Sequence, residues 1–192
     1  IAQMQHPTYL PRADGKIPSY LNKWCNKEGI GMLLIRELNS VEAAAVSMNT
    51  IQEYAEGSRL GVPVLVSMDS VHGLSYVSGA TVTGRSYLKA QGGMRMKVQK
   101  AVLKETEHIA IGVRMTLSPE ADIASEPRWG RVMETFGEDP DLVTKMVTAQ
   151  VVAFQNGRDG LNTGAIVACM KHFPGAGPQM EGKDTSPIIY SA

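Results

Sequence analysis

Apolar positions along this chain follow two alternating rhythms. Near-continuous apolar runs at 30–35 (IGMLLI), 62–68 (VPVLVSM), 113–117 (VRMTL) and 165–170 (AIVACM) have the length expected of buried strands. Between them the apolar residues recur at helical spacing. Val41, Ala44, Ala45, Met48, Ile51 and Ala55 share a face, opened by a capping-box pattern at Asn39 and Glu42 and closed by Gly57 and Gly61. A second helix is predicted over about 94–109, with Val98, Ala101, Val102, Glu105 and Ile109 on related faces. A third opens at Asp139–Pro140, an N-cap followed by a first-turn proline, and carries Leu142, Val143, Met146, Val147, Val151 and Phe154 to a stop near Gly157. The stretch 73–93, rich in Gly, Ser and Thr, reads as a long loop.

Strands that alternate with helices and are apolar on both faces predict an α/β architecture with a parallel sheet. The polar residues then gather where each strand ends: Arg36 and Glu37, Asp69 and His72, Ser118 with the loop behind it, and Lys171 with His172. In parallel α/β folds these ends share one face, where ligands bind. Periodicity alone leaves a doubly wound sheet open. No GxGxxG follows the first strand, however, and Gly157, Gly160 and Gly164 precede a strand, so nucleotide binding is weakly supported.

Composition narrows the function by exclusion. Lys+Arg and Asp+Glu number 19 each, so there is no basic field and nucleic acid is not an expected partner. No apolar run approaches a membrane span, and the first residues, Ile1 to Met4, lack the shape of a signal peptide and resemble the tail of a helix. Cys25 and Cys169 have no CxxC or His spacing and read as structural thiols, so neither a zinc site nor a disulfide framework is expected.

Chemistry concentrates in three segments. In MDSVHG, Asp69 at a strand end offers a carboxylate able to accept from adjacent sugar hydroxyls, or else to cap the next turn. In EPRWGRVMETFGEDP (126–140), Arg128 presents a planar fork of donors, and Trp129 an apolar plate for a sugar ring or a neighbouring loop. Arg131, Glu134 and Glu138 are expected to pair with one another and stiffen that loop, leaving Arg128 to face the ligand. In KHFPGAG, Lys171 and His172 reach the ligand face if the strand stops there, as Phe173-Pro174-Gly175 implies. They offer donors to hydroxyls, and the imidazole a potential acid or base.

Taken together and in this order, MDSVHG, EPRWGRVMETFGEDP and CMKHFPGAG resemble the N-terminal catalytic domain of glycoside hydrolase family 3, the family of many β-glucosidases and β-xylosidases. The resemblance runs from Gln3-Met4 to about Gly177, and departs from the family pattern at TGRSYLKAQGG (83–93). It implies a (β/α)8 barrel, of which this chain supplies the first half in about four β/α units. It also implies retaining hydrolysis of β-linked glucosides or related sugars without a cofactor, in a family whose members are often secreted or periplasmic, while the compartment of this chain is left open. By resemblance, Asp69, Arg128, Lys171 and His172 bind the non-reducing-end sugar. Retention needs two carboxyl groups about 5–5.5 Å apart. The family's nucleophilic Asp lies on a later strand and its acid/base usually comes from a following domain, so no catalytic residue is assigned within these residues. Asp139 and Asp184, the tempting substitutes, do not sit at strand ends.

The loop after KHFPG holds no His, whereas the β-N-acetylhexosaminidase branch carries one there, which favours a β-glucosidase-like or β-xylosidase-like parent. The rival reading is a non-catalytic carbohydrate-binding protein that uses the same strand-end donors. An incomplete barrel exposes an unpaired edge and apolar faces, so self-association of the isolated segment is expected.

Overall fold

A computed structural model of the protein describes residues 8–9, 19–82 and 106–184. Five parallel strands form one sheet: β1 (Thr8–Tyr9), β2 (Met32–Ile35), β3 (Leu65–Met68), β4 (Met115–Thr116) and β5 (Val167–Ala168). The four apolar runs of the sequence each hold one of these strands. The additional strand β1 was not anticipated; two residues are too short to show a period.

The strands lie side by side in chain order, β1-β2-β3-β4-β5. A doubly wound sheet reverses its order at a switch point, whereas a barrel wall adds each strand beyond the last. The observed order is that of a barrel wall. Register runs from Leu34↔Ser67 through Met68↔Thr116 to Thr116↔Ala168, which brings the strands' C-terminal ends level. An isolated bridge between Glu120 and Lys171 carries the β4–β5 pairing beyond the strands proper, with the Ala121 N–H donating to the Lys171 carbonyl at 2.7 Å.

Helices cover the sheet as the apolar spacing requires. A turn of α-helix, α1 (Ser19–Asn22), widens into a π-helical segment (Lys23–Glu28) closed by Gly29 at φ 65°, a left-handed conformation that favours glycine. Helix α2 (Val41–Glu56) buries Ala44, Met48, Ile51 and Ala55 against Leu33, Ile35, Val66 and Met68 of the sheet. Its N-cap is Ser40, whose Oγ accepts from the Ala43 N–H at 3.1 Å, one residue beyond the expected Asn39. The chain cannot turn earlier, because Leu38 is buried and bonded through its N–H and carbonyl to Tyr76 and Ser78. Of the helix predicted over 94–109, residues 106–110 are helical and 94–105 lie outside the described residues, as do 83–93 and the first four residues.

Helix α3 (Pro140–Phe154) begins as the sequence indicates: Asp139 Oδ1 accepts from the N–H groups of Asp141 (2.9 Å) and Leu142 (3.3 Å). Its buried face, Val143, Met146 and Val147, packs with Phe136 in a second apolar cluster. Asp139→Ala is expected to lower stability by about 1 kcal/mol through two unsatisfied amides. Urea unfolding should show this as a lower midpoint with an unchanged slope, and Asp139→Asn should restore most of the loss.

His108 and Ser70, the latter just past the end of β3, are both fully buried and bonded to each other at 2.6 Å, with Phe154 edge-on to the imidazole. Ser118–Pro119, Lys171–His172 and Phe173–Pro174 are cis peptides.

Candidate functional site

The strand ends converge on an open cleft of about 600 Å³. Arg36 comes from the end of β2, Asp69 and His72 from β3, Leu117 from β4, Lys171 and His172 from β5, and Arg131, Met133 and Glu134 from the charged loop. A second hollow of about 240 Å³, lined by Cys25, Lys27, Gly29 and Arg59 among others, lies where β2 and β3 begin.

Asp69 is the hub of the cleft. It is almost buried, and its two oxygens are divided between two cations: Oδ2 accepts from Arg36 at 2.7 Å, and Oδ1 from Lys171 at 2.6 Å. Lys171 also reaches Glu120 Oε1 at 3.1 Å. Burial would lower the Lys171 pKa, but its bonds to Asp69 and Glu120 win and raise it, so the ammonium stays charged. Cations fixed by a buried carboxylate, with donor hydrogens left over, suit a ligand that carries several hydroxyls.

Beneath Lys171 and His172 lies a layer of acids that sequence reasoning did not single out. Glu120 and Asp122 follow β4 in SPEAD and are both buried. Extended residues two apart share a side, so acids at 120 and 122 just past a strand end were a readable signal. Asp122 Oδ2 lies 2.8 Å from His172 Nδ1, and Asp122 also accepts from the backbone N–H groups of His172 and Ala176. Burial would raise the Asp122 pKa, yet the bonds from His172 and Ala176 outweigh it and hold the carboxyl below its ordinary value. On its other side, His172 Nε2 faces Arg131 Nη1 at 3.3 Å. A guanidinium can only donate, so Nε2 accepts and Nδ1 carries the proton given to Asp122.

That tautomer bears on metal binding. Donor atoms of Glu120, Asp122 and His172 lie within 4.8 Å of one another, a grouping that metal sites share. Here both imidazole nitrogens are engaged, and two cations, Lys171 and Arg131, contact Glu120. The cluster is a hydrogen-bonded support for His172.

Three of the four residues expected to bind ligand, Asp69, Lys171 and His172, line the cleft together. Arg128 does not. Its side chain is 66% exposed and its fork closes on Glu126, with Nε–Oε1 at 2.9 Å and Nη2–Oε2 at 2.8 Å. Arg128's bonds hold the Glu126 carboxyl down at about 2. The guanidinium at the cleft is that of Arg131. It bonds Glu134 through Nε (3.1 Å) and Nη2 (2.8 Å), bonds Glu120 through Nη2 (2.9 Å), and lies 5.8 Å from the centre of the Trp129 ring. The expected pairing of Arg131 with Glu134 is present, and the same pairing aims Arg131 at the cleft.

Trp129 is buried, and its Nε1 donates to Asp184 Oδ1 at 2.9 Å, so it serves the neighbouring-loop reading. Asp184 lines the cleft through that bond, and Asp139 caps α3. Gly177 and Gly182 press so tightly on the backbones of Ile123 and Arg128 that a Cβ at either would collide, which fixes the returning segment against the charged loop.

Comparison with known proteins agrees with this fold. The family model described as "Glycosyl hydrolase family 3 N terminal domain" matches residues 1–189. A periplasmic β-glucosidase/β-xylosidase of Dickeya chrysanthemi is 37% identical over 145 residues, covering 71% of this chain and 22% of the relative. Among solved structures, a β-glucosidase involved in saponin metabolism from intestinal bacteria superposes with TM-score 0.77 at 32% identity, over 96% of this chain and 23% of that one. A family 3 β-N-acetylglucosaminidase from Paenibacillus sp. str. FPU-7 superposes with TM-score 0.81 at 25% identity, over 96% of this chain and 34% of that one. The chain spans about a fifth to a quarter of the length of the curated relatives it matches.

Proposed function

The chain belongs to glycosyl hydrolase family 3, and from that membership we propose that it forms the sugar-recognition half of a retaining, exo-acting β-glucosidase-like or β-xylosidase-like site. The observation that carries the reading is the Asp69 hub. One nearly buried carboxylate holds Arg36 and Lys171 at 2.7 and 2.6 Å on the floor of an open cleft, beside His172. Adjacent sugar hydroxyls can each donate to Asp69 and accept from Lys171 or Arg131, a pattern of paired donors and acceptors that matches a pyranose edge. His172, anchored through Nδ1–H to Asp122, turns Nε2 towards the Arg131 side of the cleft.

The bond-breaking carboxylates are assigned elsewhere. Each acid lining the cleft among the described residues is already engaged: Asp69 by Arg36 and Lys171, Glu134 by Arg131, and Asp184 by Trp129. A nucleophile must be free to approach an anomeric carbon, and a general acid must carry a proton to the leaving oxygen. In the barrel reading both come from parts of the protein that pack beyond β5, whose half-buried residues offer an edge for a further strand.

The relatives named β-glucosidase and β-xylosidase support the substrate class. The test is a panel of aryl β-glycosides assayed on the protein at its full natural length. Release of the aryl alcohol from β-glucosides or β-xylosides with retained anomeric configuration is the expected result. Saturable sugar binding with no hydrolysis would favour the non-catalytic reading, and neither binding nor hydrolysis would overturn both.

A further inference from the structure

We infer that Glu120 serves as a carboxylic acid, with Oε1 accepting from Lys171 and Arg131 while Oε2 carries a proton directed at the Asp122 carboxylate. The side chain of Glu120 is wholly buried. Its Oε1 has two cationic donors, Arg131 Nη2 at 2.9 Å and Lys171 Nζ at 3.1 Å. Among the described residues its Oε2 has no hydrogen-bond partner. The near neighbour of Oε2 is His172 Nδ1 at 3.4 Å, but the single proton on that nitrogen goes to Asp122 Oδ2 at 2.8 Å. A buried carboxylate oxygen with no donor is costly, whereas a protonated one becomes a donor itself, and a carboxylate oxygen of Asp122 lies within 4.8 Å of one of Glu120 in the same cluster.

The electrostatics agree with the geometry. Burial pushes the Glu120 carboxyl up to about 8, against the pull of Lys171 and Arg131 and with the push of Glu134. The charged groups around it are Lys171 and His172 from the end of β5, Arg131 and Glu134 from the charged loop, and Asp122 from its own strand end; Asp69 and Arg36 act one bond further away through Lys171. With Glu120 neutral, Lys171 is anchored by Asp69 and remains aimed at the cleft. Ionised, Glu120 would compete with Asp69 for the ammonium and stand as a second negative charge beside Asp122. Glu120 is thus a positioning residue for the sugar-binding cation, and that role rests on the proposed function. Its protonation does not.

The test is Glu120→Gln in the protein at its full natural length, because an amide reproduces a protonated carboxyl, one acceptor and one donor, and cannot ionise. In the unfolded chain a Glu carboxyl ionises near pH 4.3. The folded state keeps the proton to about pH 8. Between those limits the folded state binds more protons than the unfolded state, so this group's contribution is complete below about pH 4.3 and is lost as pH rises towards 8. The melting temperature of the Gln variant should therefore gain on wild type by about 3 °C or more between pH 5 and pH 8 and then level off. A variant curve that runs parallel to wild type and below it at every pH would show an ordinary ion-paired carboxylate and overturn the assignment. Infrared spectroscopy of the wild type reads the same proton directly if the variant fails to fold. A protonated-carboxyl band should persist at pH 7 and bleach as pH passes about 8, and its absence at pH 7 would overturn the assignment.

Steady-state kinetics should show KM for an aryl β-glucoside rising above about pH 8 in wild type and not in the Gln variant. A protein that gives the melting and infrared results but hydrolyses no glycoside would sink the proposed function and leave Glu120 protonated as inferred.

Discussion

Asp69→Ala is expected to lower kcat/KM for an aryl β-glucoside by about 10²–10⁴-fold, the largest effect of any single change in the cleft. Hydrogen bonds to a charged group contribute about 1.5–3 kcal/mol each, and a carboxylate that meets two adjacent hydroxyls contributes twice. The substitution also releases Arg36 and Lys171, which bond Asp69 at 2.7 and 2.6 Å, into a cleft with one fewer negative charge. Asp69→Asn keeps the shape and one acceptor but turns the other group into a donor facing a cation, so it should recover little activity. A loss under threefold for Asp69→Ala, with the fold intact by circular dichroism, would remove Asp69 from the binding site.

The second large effect separates two arginines that look equivalent in the motif. Arg131→Ala should destabilise the protein by roughly 2–3 kcal/mol, because it strips Glu134 of both donors and Glu120 of one while removing the cation beside the Trp129 ring. It should also raise KM, since Arg131 lines the cleft. Arg128→Ala should leave stability within about 0.5 kcal/mol, as expected for an exposed surface change, and it removes a fork already closed on Glu126. Paired urea titrations and kinetics decide the matter. If Arg128→Ala raises KM and Arg131→Ala does not, the sequence assignment of Arg128 as the sugar-facing residue is restored.

That exchange shows where the sequence is legible and where it is not. The four principal strands were readable because burial on both faces leaves continuous apolar runs, and the α3 start was readable because Asp139-Pro140 states its cap in two adjacent residues. The convergence of Asp69, Lys171 and His172 followed from topology, since parallel strands put their ends on one face. The choice between Arg128 and Arg131 did not follow, because it depends on how the loop folds between them. Trp129 turns inward to meet Asp184, 55 residues further along the chain, and the flanking arginines then diverge. The acids Glu120 and Asp122 were missed for a related reason: their importance lies in being buried under residues about 50 positions away. Asn39 and Ser40 are equally good caps locally, and the tertiary bonds of Leu38 to Tyr76 and Ser78 decide between them. The π-helical turn at Lys23–Glu28 has no apolar period of its own by which to be recognised.

The low-lying acids also explain why a site dense in carboxylates is assigned to recognition. Asp122 is held ionised by His172 and Ala176, Glu134 is held ionised through its bonds to Arg131 despite its burial, and Asp69 bridges two cations. Each is committed to fixing a donor, which gives a rigid, preorganised surface for hydroxyl groups.

The most direct measurement is a crystal structure of the protein at its full natural length soaked with glucose. The account predicts a sugar ring in the cleft, with two adjacent hydroxyls within hydrogen-bond distance, about 2.6–3.2 Å, of Asp69 and Lys171 and a further one at His172. A sugar bound elsewhere, with Asp69 and Lys171 contacting only each other and Arg36, would contradict it.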